Sequence, residues 1–321
     1  MFQRGVNAWV KLDAWHGGRI VLPLLRFFGR SSRPIETEDR LDIRTAAMPE
    51  NAYRGTLARW NPDVVVVSSV SRAAWRWING DVRRTATKAV LYVREDHAIT
   101  HFTVSKEYPD LVLANATAHV ARLEEAGVPA LFLPSVVDRR DAEVCSSRRC
   151  ALFVNPVAEN HPDLVFALAE LRPDIPFVFQ ESWPLDEPAW DALRDRADAL
   201  PNVELRHRTT NARDVYRDAK LLVAPYPSGR PRVIPEAQHN GIPVLGANQP
   251  ALAEAVGPGG CVVSLDETPA QWAAALAQMW DDDEVYQRLS RDAVAHDRRP
   301  ELDPDRVVES FERALASLSG R

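Results

Sequence analysis

Residues 221–245 read LLVAPYPSGRPRVIPEAQHNGIPVL. The run Leu221–Ala224 is apolar at every position, the pattern of a strand covered on both faces. It stops at Pro225-Tyr226-Pro227-Ser228-Gly229, residues that fix or free φ and therefore make turns. A helix is predicted over Val233–Asn240, and Pro243–Leu245 returns to strand. Strand, loop, helix, strand is the unit of a parallel sheet flanked by helices.

The same alternation extends outward in both directions. Downstream come a last strand, Cys261–Leu265, and helices at Pro269–Trp280, Asp283–His296 and Arg306–Leu318. Upstream, strands are predicted at Ala151–Val154, Phe177–Phe179 and Val203–Arg206. Helices at Asp163–Leu171, Trp190–Leu200 and Ala212–Arg217 separate them. A polar stretch, residues 139–150, reads as an irregular linker. Before it the pattern repeats: strands at Val64–Val67, Ala89–Val93, Leu111–Ala114 and Leu131–Leu133, helices at Arg72–Asn79 and Ala118–Ala126, the second closed by Gly127. The expected fold is α/β, with two Rossmann-like domains facing each other across a cleft. Residues 1–138 form the first, 139–300 the second, and a helix in 301–321 packs back toward the first.

The first 45 residues fit this pattern poorly, so the N-terminal domain reads as reduced. Arg19, Arg26, Arg30 and Arg33, interleaved with Ile20, Leu24, Phe27 and Phe28, give a basic amphipathic stretch. It reads as a docked helix with a solvated face; contact with a membrane surface is the weaker reading. Its apolar run is too short to span a bilayer, and the chain is expected to be cytoplasmic.

Composition bounds the function. With 321 residues, 45% hydrophobic and 26% charged, the chain has material for two cores. The net charge of −6 argues against a nucleic-acid binder, which needs a basic face. Three cysteines without histidines at ligand spacing are read as thiols, with neither a disulfide framework nor a metal site.

In an open α/β sheet, ligands sit beyond the carboxyl ends of the strands. The loop after Leu221–Ala224 is the candidate site. Backbone N–H groups around Ser228, Gly229 and Val233 can face a diphosphate, and Arg230 and Arg232 can bind phosphate bidentately. Glu236, one turn into the helix, is placed to accept ribose hydroxyls. A second polar group, Arg94-Glu95-Asp96-His97, follows the strand Ala89–Val93 and faces the same cleft. A plain turn with solvated arginines is the bland alternative for the loop, and a surface charge cluster is that for His97.

The string Ser228–Gly260 resembles the donor-binding region of the retaining GT-B glycosyltransferases of family four, the glycosyl transferases group 1. Glu236-Ala237, Gly241-Ile242-Pro243-Val244 and Glu254-Ala255-Val256 match in order and spacing, and Pro134-Ser135-Val136-Val137-Asp138 is similar to the family's inter-domain passage. The resemblance implies a sugar nucleotide as donor substrate, a small-molecule or glycan acceptor, no cofactor and no metal. It places Glu236 on the ribose, Ser228–Arg232 on the diphosphate and Glu254 at the far wall. It further sets the base near His207–Thr209, with Arg208 in that loop, and His97 near the donor sugar. On the acceptor side it points to Arg94 and to His16-Gly17-Gly18, which is similar to the family's glycine loop. Two departures stand out. Ser228 occupies the place of the family's first glutamate, and Asn155–Asp163 lacks the family's loop cations. These motivate an alternative, a non-catalytic binding or partner protein of the same fold; a sugar-nucleotide epimerase is the third reading.

Overall fold

A computed structural model describes residues 33–35, 43–45, 54, 57–59, 61–68, 72–105, 108–137 and 139–319. The chain divides into two compact units, residues 1–91 with 105–110 and residues 92–104 with 111–321.

In the first unit, Arg33–Ile35 (β1) and Ile43–Thr45 (β2) pair as an antiparallel ribbon. Arg33 therefore belongs to a strand, not to the amphipathic helix expected there, since it precedes Pro34 and Ile35 in extended backbone. The remainder of that segment, with His16, Gly17 and Gly18, lies outside the described residues. Val64–Ser68 (β3) and Arg72–Val82 (α1) follow, then Lys88–Val93 (β4), which runs on into the second unit. Asp110 holds the start of β4, its carboxylate accepting from the Ala89 N–H at 2.8 Å.

The second unit continues with Asp96–Ser105 (α2), Leu111–Ala114 (β5), Thr117–Glu125 (α3) and Leu131–Phe132 (β6), which pairs parallel with β5. The segment Asp96–Ser105 was not expected as a helix. Its sequence, DHAITHFTVS, is rich in β-branched residues and shows weak amphipathic periodicity. Its first turn is held instead by Asp96.

Beyond residue 138 come Arg139–Ala142 (α4), Cys150–Val154 (β7), Pro162–Leu171 (α5), Phe177–Gln180 (β8), Glu187–Asp198 (α6), Val203–Arg206 (β9), Ala212–Tyr216 (α7), Ala219–Ala224 (β10), Val233–His239 (α8), Val244–Ala247 (β11), Pro250–Val256 (α9) and Gly260–Val263 (β12). Pro269–Asp281 (α10), Asp283–Asp297 (α11) and Pro304–Ser319 (α12) close the chain. The stretch 139–150 opens with α4, which buries Ala142, and is irregular from 143 to 149, where Ser146 and Arg149 hydrogen-bond to Ala219 and Asp218. The helix at Pro250–Val256 is one that the sequence pattern did not predict.

The six-stranded parallel sheet has the order β12-β11-β10-β7-β8-β9. β7 is central and buried at every position, as a strand covered by helices on both faces must be. Phe153 on β7 meets Phe179 edge-on at 5.2 Å, and Phe166 of α5 packs on Phe179 at 4.5 Å. Trp272 of α10 is fully buried, and its indole N–H donates to the Ser264 carbonyl at 2.9 Å. Gly241, at φ +61, ends α8 with the paired bonds of a Schellman motif, Gly241 N–H to Gln238 and Ile242 N–H to Ala237. That reversal sends Gly241-Ile242-Pro243-Val244 directly into β11.

Candidate functional site

The strand order fixes where a ligand belongs. β8 and β9 follow β7 to one side, whereas β10, β11 and β12 are laid down on the other. The order reverses between β7 and β10, and the crevice at such a switch point is where open α/β sheets bind their ligands. Two loops border it, one starting at Asn155 and the other at Pro225. Tyr226 ties them together: it is buried, and its hydroxyl donates to the Val154 carbonyl at 2.9 Å.

On the β10 side, Ser228 is exposed at the loop tip. Gly229 sits at φ +80 in the left-handed region, and a Cβ there would meet the Arg94 carbonyl at 3.4 Å. Its main chain lies close enough to Asp96 to help hold that carboxyl's pKa down. Arg230 is turned inward, with only 7% of its side chain exposed. Its Nη1 donates to the Asn115 carbonyl at 3.2 Å and lies 3.5 Å from Glu254 Oε1, and its guanidinium lies over the Phe132 ring at 6.0 Å. Burial draws its pKa down, with Glu254 pulling the other way. Arg232 is turned outward and pairs with Glu236 one helical turn on, Nη2 to Oε1 at 3.1 Å. Val233, half-buried, opens α8.

Glu236 is fixed from below. Its Oε2 accepts from the Tyr216 hydroxyl at 2.6 Å, and burial together with the charge of Glu236 pushes the Tyr216 pKa well up. Glu254, on α9, accepts at Oε2 from Thr117 Oγ1 at 2.8 Å and from the Ala118 N–H at 3.0 Å. It thus occupies the N-terminus of α3, where a carboxylate meets both free N–H groups and the helix dipole.

On the β8 and β9 side, Glu181 is nearly buried and accepts from the Leu185 N–H at 2.9 Å and the Arg208 N–H at 3.0 Å. Its burial raises its pKa, but those N–H groups and His207 outweigh it and the net direction is down. Arg208 therefore contributes its main chain to this contact, and its side chain is exposed. His207 stacks on Trp190 with ring centroids 4.0 Å apart, and both line a shallow pocket of about 390 Å³ with Glu181 and Leu185.

Arg94 is exposed after β4. His97 is also exposed, with Nε2 3.2 Å from Glu95 Oε2. Asp96 is the buried-side member of that group: His119, then Arg122 and the Gly229 main chain, hold its carboxyl below the usual range against partial burial. His119 is fully buried, its Nδ1 3.1 Å from Asn115 Oδ1 and its Nε2 3.6 Å from Asp96 Oδ1. The structure thus gathers Gly229, Arg230 and Glu254 with Asp96, Asn115, Thr117 and His119. The last three carried no sequence signal, because isolated polar residues at a strand end and a helix start look like ordinary caps. Tyr216 was equally silent, one aromatic in a five-residue helix.

Among the described residues no helix is long and apolar enough to cross a membrane, and no group of three or more metal-ligating side chains converges.

Comparison with known proteins bears on this frame. Residues 149–282 match the family model described as Glycosyl transferases group 1. A segment of 86 residues is 41% identical to the D-inositol 3-phosphate glycosyltransferase of Corynebacterium efficiens. That alignment covers 26% of this chain and 20% of that enzyme. Among solved structures, the Anabaena protein HepE in complex with UDP-glucose superposes with a TM-score of 0.67 at 14% identity, over 83% of this chain and 81% of that one. Sucrose-phosphate synthase from Thermosynechococcus elongatus gives 0.70 at 12% identity, over 85% and 78%. At such identities these likenesses establish the fold, an α/β architecture with parallel sheets.

Proposed function

We propose, from the premise that residues 149–282 are a domain of the glycosyl transferases group 1 family, that the chain transfers a sugar from a nucleoside-diphosphate donor to a hydroxyl acceptor. One observation carries this reading: the switch point between β7 and β10 falls inside the matched segment, and Gly229, Arg230, Arg232 and Glu236 all follow β10 there. HepE, of similar fold, was solved with UDP-glucose, and the D-inositol 3-phosphate glycosyltransferase is similar over a segment of 86 residues. Both support a sugar nucleotide as the donor class.

In this reading Glu236, held rigid by Tyr216, accepts from the ribose hydroxyls. Arg232 is exposed and linked only to Glu236 by a single-turn pair, so it can swing to the diphosphate at little cost, an exposed pair being worth about 0.5 kcal/mol. Arg230 supplies fixed positive potential from beneath the loop. The leaving diphosphate is stabilised by these preset groups, and transfer proceeds without a metal and with retention, the leaving phosphate taking the acceptor proton on the same face. Arg94 and His97 stand on the acceptor side, with His97 near the donor sugar. A cytoplasmic setting, where nucleotide sugars are made available, fits this chemistry.

The test is a thermal-shift screen of the purified protein against UDP, GDP, dTDP and ADP, with Glu236→Ala as control. One nucleotide raising the midpoint of the wild type and not of the variant supports the site, since ligand binding stabilises by mass action. No shift with any of them at millimolar concentration would overturn it in favour of a non-catalytic protein of the same fold.

A further inference from the structure

Glu254 makes a closed circuit with the loop that precedes α8. Its Oε2 takes the Thr117 hydroxyl and the Ala118 N–H at 2.8 and 3.0 Å, and its Oε1 stands 3.5 Å from Arg230 Nη1. Arg230 in turn donates to the Asn115 carbonyl at 3.2 Å, two residues before Thr117. From the other side, the Gly229 main chain lies against Asp96, whose carboxylate His119 and Arg122 hold. Gly229 and Arg230 are thereby gripped from both ends by groups on α2, β5 and α3. Neither contact belongs to the helix or strand ladders, so the shape of residues 228–232 is set by side chains.

We infer that Glu254 is a positioning residue: resting on the proposed donor site, it holds Arg230 and with it the loop 228–232 in the shape that receives a nucleoside diphosphate. The physical reasons are burial and geometry. Arg230 is 7% exposed and has one neutral carbonyl and one carboxylate within reach, so its place depends on that carboxylate. Glu254 is 18% exposed and is itself fixed by the α3 N-terminus, which makes it a rigid anchor. Glu254 is the carboxylate paired with Arg230, and Glu301 acts on it more weakly. A glutamine at 254 keeps the shape and the bonds from α3 but turns the charge attraction for Arg230 off.

The experiment is a double-mutant cycle on Glu254→Gln and Arg230→Gln in the full chain. Amide hydrogen exchange is read over residues 226–233, and affinity for UDP and GDP is measured alongside. The expected result is exchange about tenfold faster over 226–233 in E254Q, with no further increase in the double variant, because contacting residues couple. The dissociation constant of whichever nucleotide binds the wild type should rise by a similar factor. Thr117→Val, which removes one of the two bonds fixing Glu254, should give a smaller change of the same sign and serves if E254Q does not fold. Unchanged exchange at 226–233, or strictly additive effects of the two substitutions, would overturn the inference. A wild type that binds neither nucleotide sinks the proposed function instead, while the exchange arm still decides the role of Glu254.

Discussion

The Tyr216 hydroxyl donates to Glu236 across 2.6 Å, from a side chain with 1% of its surface exposed. The bond links α7 to α8 and fixes the carboxylate that the proposed donor site depends on. Tyr216→Phe keeps the ring packing and deletes only that donor. Glu236 is 13% exposed, so one of its oxygens would lose its partner at a cost of about 1–2 kcal/mol. Urea unfolding should show that loss, and calorimetry should show nucleotide affinity weakened about tenfold. Full affinity in the variant would mean that Glu236 needs no support.

Much of this arrangement could be read from the chain beforehand. The six-stranded sheet was legible because its inner strands are dominated by apolar runs, Val223 and Leu152 among them, with helices between them. The loop after β10 was legible through its proline and glycine punctuation. The residues that occupy Glu254 and Arg230 were not. Thr117 and Asn115 lie more than a hundred positions away in sequence, and nothing local distinguishes a cap that serves its own helix from one that serves another. The helix Asp96–Ser105 was missed for a related reason: its residues are poor helix formers, and tertiary packing overrides that preference.

Two glycines with positive φ differ in what they tolerate. Gly257 has φ +51, and a Cβ there would lie 2.2 Å from His296 Cε1, whose ring bonds back to the Glu254 carbonyl at 3.1 Å. Gly257→Ala must both strain the backbone and displace a buried ring on α11. Denaturant titration should show a loss of about 2–4 kcal/mol. Gly127, at φ +76 with nothing within 4 Å, carries the backbone penalty alone, and Gly127→Ala should cost about 1 kcal/mol.

Acid should act on Asp218. Arg149, together with Ser147 and Arg206, holds its carboxyl at about 2 against partial burial, from an ordinary value of 3.8. Arg149 Nη2 lies 2.8 Å away and Arg206 Nη2 3.1 Å, so this one carboxylate ties the start of β7 to the end of β9. A folded-state pKa below the unfolded one gives stability that is complete above pH 4 and is lost as pH falls toward 2. The contribution is about 1–2 kcal/mol. Asp218→Asn should therefore be less stable than the wild type at pH 7, and the difference should shrink through pH 4 to 2. A gap independent of pH would show that Asp218 acts through packing alone.

His97 separates binding from turnover. It is exposed, stands 3.2 Å from Glu95, and sits on α2, apart in sequence from the loop after β10 that carries the groups assigned to the nucleotide. In the proposed reaction it serves the sugar and the acceptor, not the base or the diphosphate. His97→Gln should then leave the dissociation constant for the nucleoside diphosphate within about twofold of the wild type, while turnover with a sugar nucleotide falls about a hundredfold. Calorimetry with the nucleotide and initial rates at saturating donor give the two numbers independently. Equal losses in both would move His97 into the donor site. Unchanged turnover would leave it a surface partner of Glu95, with the acceptor side carried by Arg94.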